Sequence, residues 1–167
     1  MSGEPLVREV RPDERDDVLR VVEAAYAEFE PHLEPEEWST MSKNLAGIVA
    51  PDAPGRLLAA ELEGTVVGTA TYLPPGPRAY NRVPQEWAVI RGVGVDPAWR
   101  GRGVARRLSE RCLEMARADD APTVGLHTAA MFHPARRLYE SLGFTQQHDF
   151  QHLGVQFWIY ALSFGAD

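Results

Sequence analysis

Val93-Gly94-Val95-Asp96-Pro97-Ala98-Trp99-Arg100-Gly101-Arg102-Gly103-Val104-Ala105-Arg106-Arg107 is the stretch on which the rest of the chain is organised. It reads as the end of a strand, a sharp turn and the first turn of a helix. Asp96-Pro97 stops the strand, and Gly101 and Gly103 stand where the helix begins. The first N–H groups of a helix have no partner inside it and carry a partial positive charge, so they suit a phosphate. Glycine there lets the backbone approach such a ligand closely. The stretch predicts an anion site, and a pyrophosphate fits it best.

Upstream, Glu86 to Val95 reads as a central strand. Trp87, Val89, Val93 and Val95 alternate onto one face, and Arg91 stands out of place among them. Gly92 and Gly94 inside the strand predict a bulge or a close backbone approach, and a bulge changes the facing of Arg91. Downstream, Val104, Leu108, Cys112 and Met115 form one stripe of a helix that runs to about Arg117. Cys112 is thereby a small core residue rather than a reactive thiol.

The remaining elements follow from the same signals. Val7 to Val10 is a short strand, and Pro12-Asp13-Glu14 opens a helix whose stripe is Leu19, Val22, Tyr26 and Phe29. Pro31 ends that helix, and Glu34 to Glu37 opens a second one with Trp38, Met41, Leu45, Ile48 and Val49 on its apolar face. Arg56 to Leu62 and Thr65 to Leu73 form a hairpin around Glu63-Gly64. Arg78 to Pro84 is a polar loop placed to border a substrate site. Thr123 to Thr128 is a strand, and His133-Pro134 starts a helix that Gly143 caps. Phe144 to Asp149 and Val155 to Leu162 are closing strands. The order β-α-α-β-β-β-α-β-α-β-β is that of an α/β fold around one mixed sheet.

At 167 residues the chain reads as one domain, residues 1–167. A net charge of −7 argues against nucleic-acid binding and suits a cationic substrate such as an amine. No apolar run is long enough to span a membrane, and Met1 to Glu9 lacks the apolar core of a signal peptide. The single cysteine forms no internal disulfide, so a cytoplasmic location is expected. His148, Asp149 and His152 fall on loop and strand without a compact ligand spacing, so no metal is expected.

Three phosphate-binding patterns can be set against the glycine stretch. A Walker loop requires Lys-Ser or Lys-Thr after its second glycine, and neither is present. A dinucleotide fingerprint requires a third glycine where Arg106 stands. The third pattern fits: Arg100-Gly101-Arg102-Gly103-Val104-Ala105 resembles the Q/R-x-x-G-x-G/A motif of the GNAT family of N-acetyltransferases. Val93, Val95 and Pro97 before it resemble that family's central strand and turn. Ala135-x-x-Leu138-Tyr139-Glu140-x-Leu142-Gly143-Phe144 resembles its late helix and next strand. The element order matches from Val7 to Leu162.

The resemblance implies a mixed, mostly antiparallel central sheet flanked by helices, with acetyl-CoA or another acyl-CoA as co-substrate. The backbone from Gly101 to Arg106, with Arg100 ahead of it, would cradle the pyrophosphate. Backbone groups of Val93, Gly94 and Val95 would hold the pantetheine arm. The implied reaction is direct acyl transfer to an amine, with Tyr139 as general acid toward the CoA sulfur. The family's strand glutamate is replaced by Val89, which leaves Glu86 and His127 as candidate bases, or no base if the amine arrives deprotonated. Phe132 stands where many members carry a CoA-contacting asparagine, and it is placed to pack on the pantetheine or the acyl chain.

The leading expectation is an N-acetyltransferase acting on a small amine, with side-chain or N-terminal acetylation of a protein as a variant. The competing one is a non-catalytic acyl-CoA sensor of the same fold. Nucleic acid and membrane are not expected partners, and the aromatic closing strands are suited to a homodimer contact.

Overall fold

The computed structural model describes residues 3–165. In chain order these form β1 (Leu6–Glu9), α1 (Arg15–Tyr26), α2 (Pro35–Ile48), β2 (Arg56–Leu62), β3 (Thr65–Leu73) and β4 (Ala88–Val95). There follow α3 (Val104–Ala118), β5 (Thr123–Ala129), α4 (His133–Ser141), β6 (Thr145–His152) and β7 (Val155–Ser163). The strands make one sheet in the order β1-β2-β3-β4-β5-β7-β6. Every neighbouring pair is antiparallel except β4 and β5, which run parallel. The element order and the mixed, mostly antiparallel sheet are those expected from the sequence.

The β4–β5 pairing is short. Only Ala88 with Val124 and Val89 with Gly125 are in register, and beyond them the two strands part. On its other side β4 carries the expected bulge. Thr69 pairs with Gly94 and Thr71 with Arg91, so Gly92 and Val93 together face Ala70. Gly92 takes a φ of +64°, a backbone conformation that side chains resist. The extra residue inverts the alternation. Val89 packs with Leu73, Val83 and Ile159, whereas Val93 and Val95 pack on the other face with Ile90 and Val104. The single-face assignment of Val89 with Val93 and Val95 is therefore corrected, and Arg91 shares the face of Val89.

Helices cover both faces. α3 lies on β2, β3 and β4 and buries Val104, Leu108, Cys112 and Met115 as its periodicity predicts. Burial pushes the Cys112 thiol up to about 12, consistent with an inert core residue. α1 lies on the opposite face of β3 and β4. Its buried stripe is Val18, Val21, Val22 and Ala25, with Leu19 only half-buried. α2 leans on α1 and buries little beyond Met41. Prolines and acids start these helices as expected. Pro12 opens a 3-10 turn ahead of α1, and the Glu37 carboxylate accepts the Glu34 N–H at 3.0 Å at the start of α2.

Three boundaries differ from the sequence reading: α1 ends at Tyr26, and Pro31 lies inside the 3-10 turn Ala27–His32 that follows it. β4 starts at Ala88, so Glu86 is an exposed turn residue. β6 extends to His152 and closes on β7 through Leu153 and Gly154, both at positive φ (53° and 73°). β6 is a polar edge strand, and Phe157, Ile159 and Tyr160 of β7 are buried in the chain's own core. Phe150 and Trp158 of these closing strands are half-buried. Among the described residues, Leu6 is the large apolar side chain left exposed, and no helix is long and apolar enough to cross a membrane.

Glu14 fastens the entry of α1 to the sheet. Its carboxylate accepts both terminal nitrogens of Arg8 at 2.7 Å and the Arg11 backbone N–H at 2.8 Å, and the residue is only 7% exposed. The Arg8 guanidinium, opposed by burial, holds the carboxyl down to about 2. A carboxyl with lowered proton affinity in the fold stabilises it fully above about pH 5 and loses that contribution as pH falls toward 2. Glu14→Gln should therefore cost about 2–4 kcal/mol at pH 7, and much less near pH 3. Urea unfolding of both proteins across that pH range measures the difference.

Candidate active site

Where β4 and β5 part, a slot of about 810 Å³ opens between them. Its walls are the free edge of β4, the second half of β5, the end of α1, the start of α3 and the body of α4. The C-terminal end of β4 thus delivers the chain directly to the α3 N-terminus, at one end of the slot.

That end is the predicted anion site. Gly101 and Gly103 have φ values of +80° and +78°, and Gly103 caps α3 in the left-handed conformation. The first helical bond runs from the Arg107 N–H to the Gly103 carbonyl at 3.0 Å, so the N–H groups of Val104, Ala105 and Arg106 have no partner within α3. A Cβ built on either glycine meets nothing within 4 Å, so the space over the turn is open to a ligand. The arginines are largely engaged elsewhere. Arg100 pairs with Glu28 at 3.0 Å and bonds the Ala25 carbonyl, Arg106 donates to the Ser141 hydroxyl at 2.6 Å, and Arg102 lies over the Trp99 ring at 4.8 Å. The backbone N–H groups of Val104, Ala105 and Arg106 are the donors fixed toward the open turn.

In the middle of the slot the Tyr26 hydroxyl donates to the Val93 carbonyl at 3.0 Å. β5 has already turned away at this level, so Tyr26 supplies a partner that the sheet does not. The Tyr26 ring stacks on Phe29, which in turn packs on Phe132 at 4.4 Å between centroids. Gly94 faces α1, where a Cβ would lie 3.1 Å from the Ala25 Cβ; its smallness serves the seating of α1.

Tyr139 projects from α4 into the slot wall. Pro134 opens that helix, Gly143 closes it, and the Phe144 ring packs edge-on against Tyr139 at 5.8 Å. Tyr139 is only 6% exposed, and burial raises its phenol above the usual value, so it stays protonated at neutral pH. His127 reaches the slot from β5. Its Nδ1 and the Tyr80 hydroxyl share a 2.8 Å hydrogen bond, with Phe150 and Phe157 edge-on to the ring. Burial first, then the nearby Arg91 and Arg82, lowers His127 to about 4, which leaves it neutral at pH 7.

The slot brings together Tyr139, His127, Phe132, Val93, Gly94, Val95, Arg100, Gly101, Gly103, Val104, Ala105 and Arg106. Arg102 and Glu86 are not in its walls. Tyr26 and Arg91 also line the slot, and Tyr80 stands behind it, bonded to His127; the sequence singled out none of the three for it. Tyr26 carries only the signal of an apolar stripe. Tyr80 sits in the polar loop, which the Arg78 guanidinium organises by bonding the carbonyls of Pro74, Tyr80, Pro84 and Trp87. Arg91 was signalled by its misfit in the strand. No group of three or more potential metal ligands occurs among the described residues.

Comparison with known proteins shows the family and the fold. A family model described as "Acetyltransferase (GNAT) family" matches residues 17–144. The mycothiol acetyltransferase of a Nocardioides species is 35% identical over 158 residues, which is 88% of this chain and 52% of that protein. The N-alpha-acetyltransferase RimI of Mycobacterium tuberculosis is 36% identical over 104 residues, covering 62% of this chain and 56% of RimI. The N-acetylaspartate synthetase of Danio rerio is 36% identical over 85 residues, covering 51% and 28%. The chain thus spans between 28% and 56% of the length of these relatives. Among solved structures, the Escherichia coli ribosomal-protein-S18-alanine N-acetyltransferase superposes with a TM-score of 0.69 at 18% identity, covering 100% of this chain and 96% of that one. A Brucella melitensis GNAT family acetyltransferase in complex with acetyl-CoA gives 0.60 at 23% identity, covering 98% and 90%. These two share the fold. With the family match running from α1 through the glycine turn to the end of α4, this chain belongs to the GNAT acetyltransferase family.

Proposed function

We propose that this chain transfers an acetyl group from acetyl-CoA to the primary amine of a small molecule. The observation that carries the reading is the continuity of the slot. One cavity links the unpartnered N–H groups of the α3 N-terminus to the buried Tyr139 hydroxyl, between strands that have parted. Its shape fits a long donor with an anionic centre and a reactive end. The chain's single cysteine, Cys112, is free and buried in the core, in keeping with a cytoplasmic location.

Acetyl-CoA supplies an activated acetyl group, whose C–S bond breaks as the C–N bond to the amine forms. Val104, Ala105 and Arg106 bind the pyrophosphate through backbone N–H groups, and the freed edge of β4 beside Val93 receives the pantetheine arm. Phe132 and Phe29 give that arm an apolar wall and keep water out. Tyr139 gives its proton to the departing sulfur and recovers one from the amine nitrogen through water. Its raised proton affinity keeps it in the acid form needed for this. His127 is neutral and accepts at most a passing proton. The arginines that depress it also favour the neutral form of an incoming amine. Glu86, exposed and outside the slot walls, takes no part.

Release of free thiol from acetyl-CoA in the presence of an amine panel tests the activity. Tight CoA binding with no thiol release on any amine would instead fit a non-catalytic sensor. Tyr139→Phe should lower kcat about 100-fold with little change in KM for acetyl-CoA. An unchanged kcat across pH would remove Tyr139 from the mechanism. At the other end, Gly103→Val forces a β-branched residue into a left-handed conformation at the helix cap. It should raise the CoA dissociation constant at least about tenfold. Arg102→Ala, outside the slot walls, should change it less than about twofold. Calorimetric titration of CoA into both variants compares them directly.

A further inference from the structure

Arg91 differs from the other half-buried arginines of the chain. Arg8 donates to Glu14 and Glu61, Arg15 to the carbonyls of Val49 and Ala50, and Arg78 to four carbonyls. Arg107 and Arg111 reach Glu114, and Arg136 bonds the Ala130 carbonyl and the Tyr160 hydroxyl. Arg91 has no such acceptor among the described residues. Its guanidinium carbon lies 5.1 Å from the Tyr80 ring centroid, and Tyr26 is the other group that faces it. A half-buried guanidinium whose N–H fork no protein acceptor fills is partly desolvated, and a bound anion would give that fork a charge-assisted partner.

The surroundings give the anion a place. Arg91 lines the slot at the bulge of β4, on the face of Tyr80 and His127, and away from the glycine turn. A second guanidinium, that of Arg82, stands over Phe150 at 4.0 Å, beside the same histidine. The one acidic residue in the slot walls is Glu28, and it is paired with Arg100 at the anion end. An acceptor bearing only ammonium charge would find no carboxylate beside the reactive end. An acceptor bearing a carboxylate would find a planar fork of donors shaped for it.

Resting on the acetyltransferase reading above, we infer that the acceptor is an amine that also carries a carboxylate, and that Arg91 binds that carboxylate. The carboxylate fixes the acceptor by a bidentate contact, and the amine is left facing the thioester between Tyr139 and His127. Arg91 is thus a specificity-determining residue for the acceptor.

Steady-state kinetics with free α-amino acids, their carboxamides and unsubstituted diamines tests this, with thiol release as the readout. In the wild-type protein kcat/KM for the best acid should exceed that of its carboxamide at least about tenfold, as expected of a charge-assisted pair. Arg91→Gln should bring that ratio to within about twofold of unity, by raising the acceptor KM. Arg91→Lys should restore part of the ratio, because it keeps the charge and loses the fork. Equal or better use of carboxamides or diamines by the wild type would overturn the assignment, as would an unchanged ratio in Arg91→Gln or no turnover of any acid. Calorimetry with acetyl-CoA on the same protein separates the failures. Acetyl-CoA binding with the wrong acceptor preference sinks the acceptor class alone, whereas no binding sinks the acetyltransferase reading and this inference with it.

Discussion

The parting of β4 from β5 is the constraint on which the rest of the molecule depends. Two parallel strands that stay paired bury their facing backbone groups in one another. Here the pairing lasts for two positions, Ala88 with Val124 and Val89 with Gly125, and then stops. From Ile90 onward β4 has an edge inside the protein rather than at its rim. A buried edge must find other partners or remain in contact with solvent or ligand. Tyr26 takes one carbonyl, that of Val93, and the slot keeps the remainder accessible. On one side of the break α3 packs on the β1–β4 half, and on the other β5 continues the sheet into β7 and β6. Because β4 runs straight into the glycine turn, opening this edge also aims the α3 N-terminus along it. The anion site and the strand edge are two consequences of one break in the ladder.

Much of this was legible in the residues. The glycine turn, the stripe of α3, the Pro–Gly framing of α4 and the order of elements all follow from local signals. Each involves a backbone demand that only certain residues meet, or a periodicity sustained over several turns. The facing of β4 was not legible in the same way. Alternation assigns Val89, Val93 and Val95 to one side, but an inserted residue at Gly92 moves the last two to the other. The glycines announce a bulge without saying which residue is the extra one, and the answer depends on how β3 pairs. The start of β4 was misplaced for a related reason. Glu86 and Trp87 have the composition of strand residues, yet Arg78 ties the Trp87 and Pro84 carbonyls into the preceding loop. A single guanidinium bonding four carbonyls leaves no periodic trace. Tyr26 likewise carried the signal of a core stripe, since a hydroxyl that caps a distant carbonyl looks, in sequence, like any half-buried tyrosine.

Charge shows how far a sum over residues can lie from the field at a site. The net charge of −7 suits a cationic acceptor, yet the slot wall carries Arg91, Arg82 stands over Phe150 near His127, and the one carboxylate of the wall, Glu28, is paired with Arg100. The acids are placed where they do other work: Glu14 holds Arg8 and Arg11, Glu28 holds Arg100, and Glu114 holds Arg107 and Arg111. Paired charges of this kind nearly cancel at a distance, and exposed ones are screened within about 8–10 Å at ordinary ionic strength. What a molecule inside the slot experiences is the nearest unpaired charge in a desolvated wall, and that is a guanidinium. The depressed proton affinity of His127 is an internal record of that field, after the effect of burial. An acceptor ammonium placed beside the same guanidinium is pushed toward its neutral, nucleophilic form in the same direction. If its carboxylate pairs with Arg91, that charge is spent on selecting the acceptor, and the push toward the neutral amine is left to desolvation in the slot and to Arg82 beside His127. The missing strand glutamate is then no defect in the site. Withdrawal of the amine from water inside the slot lowers its proton affinity and reduces the need for a strong base beside it.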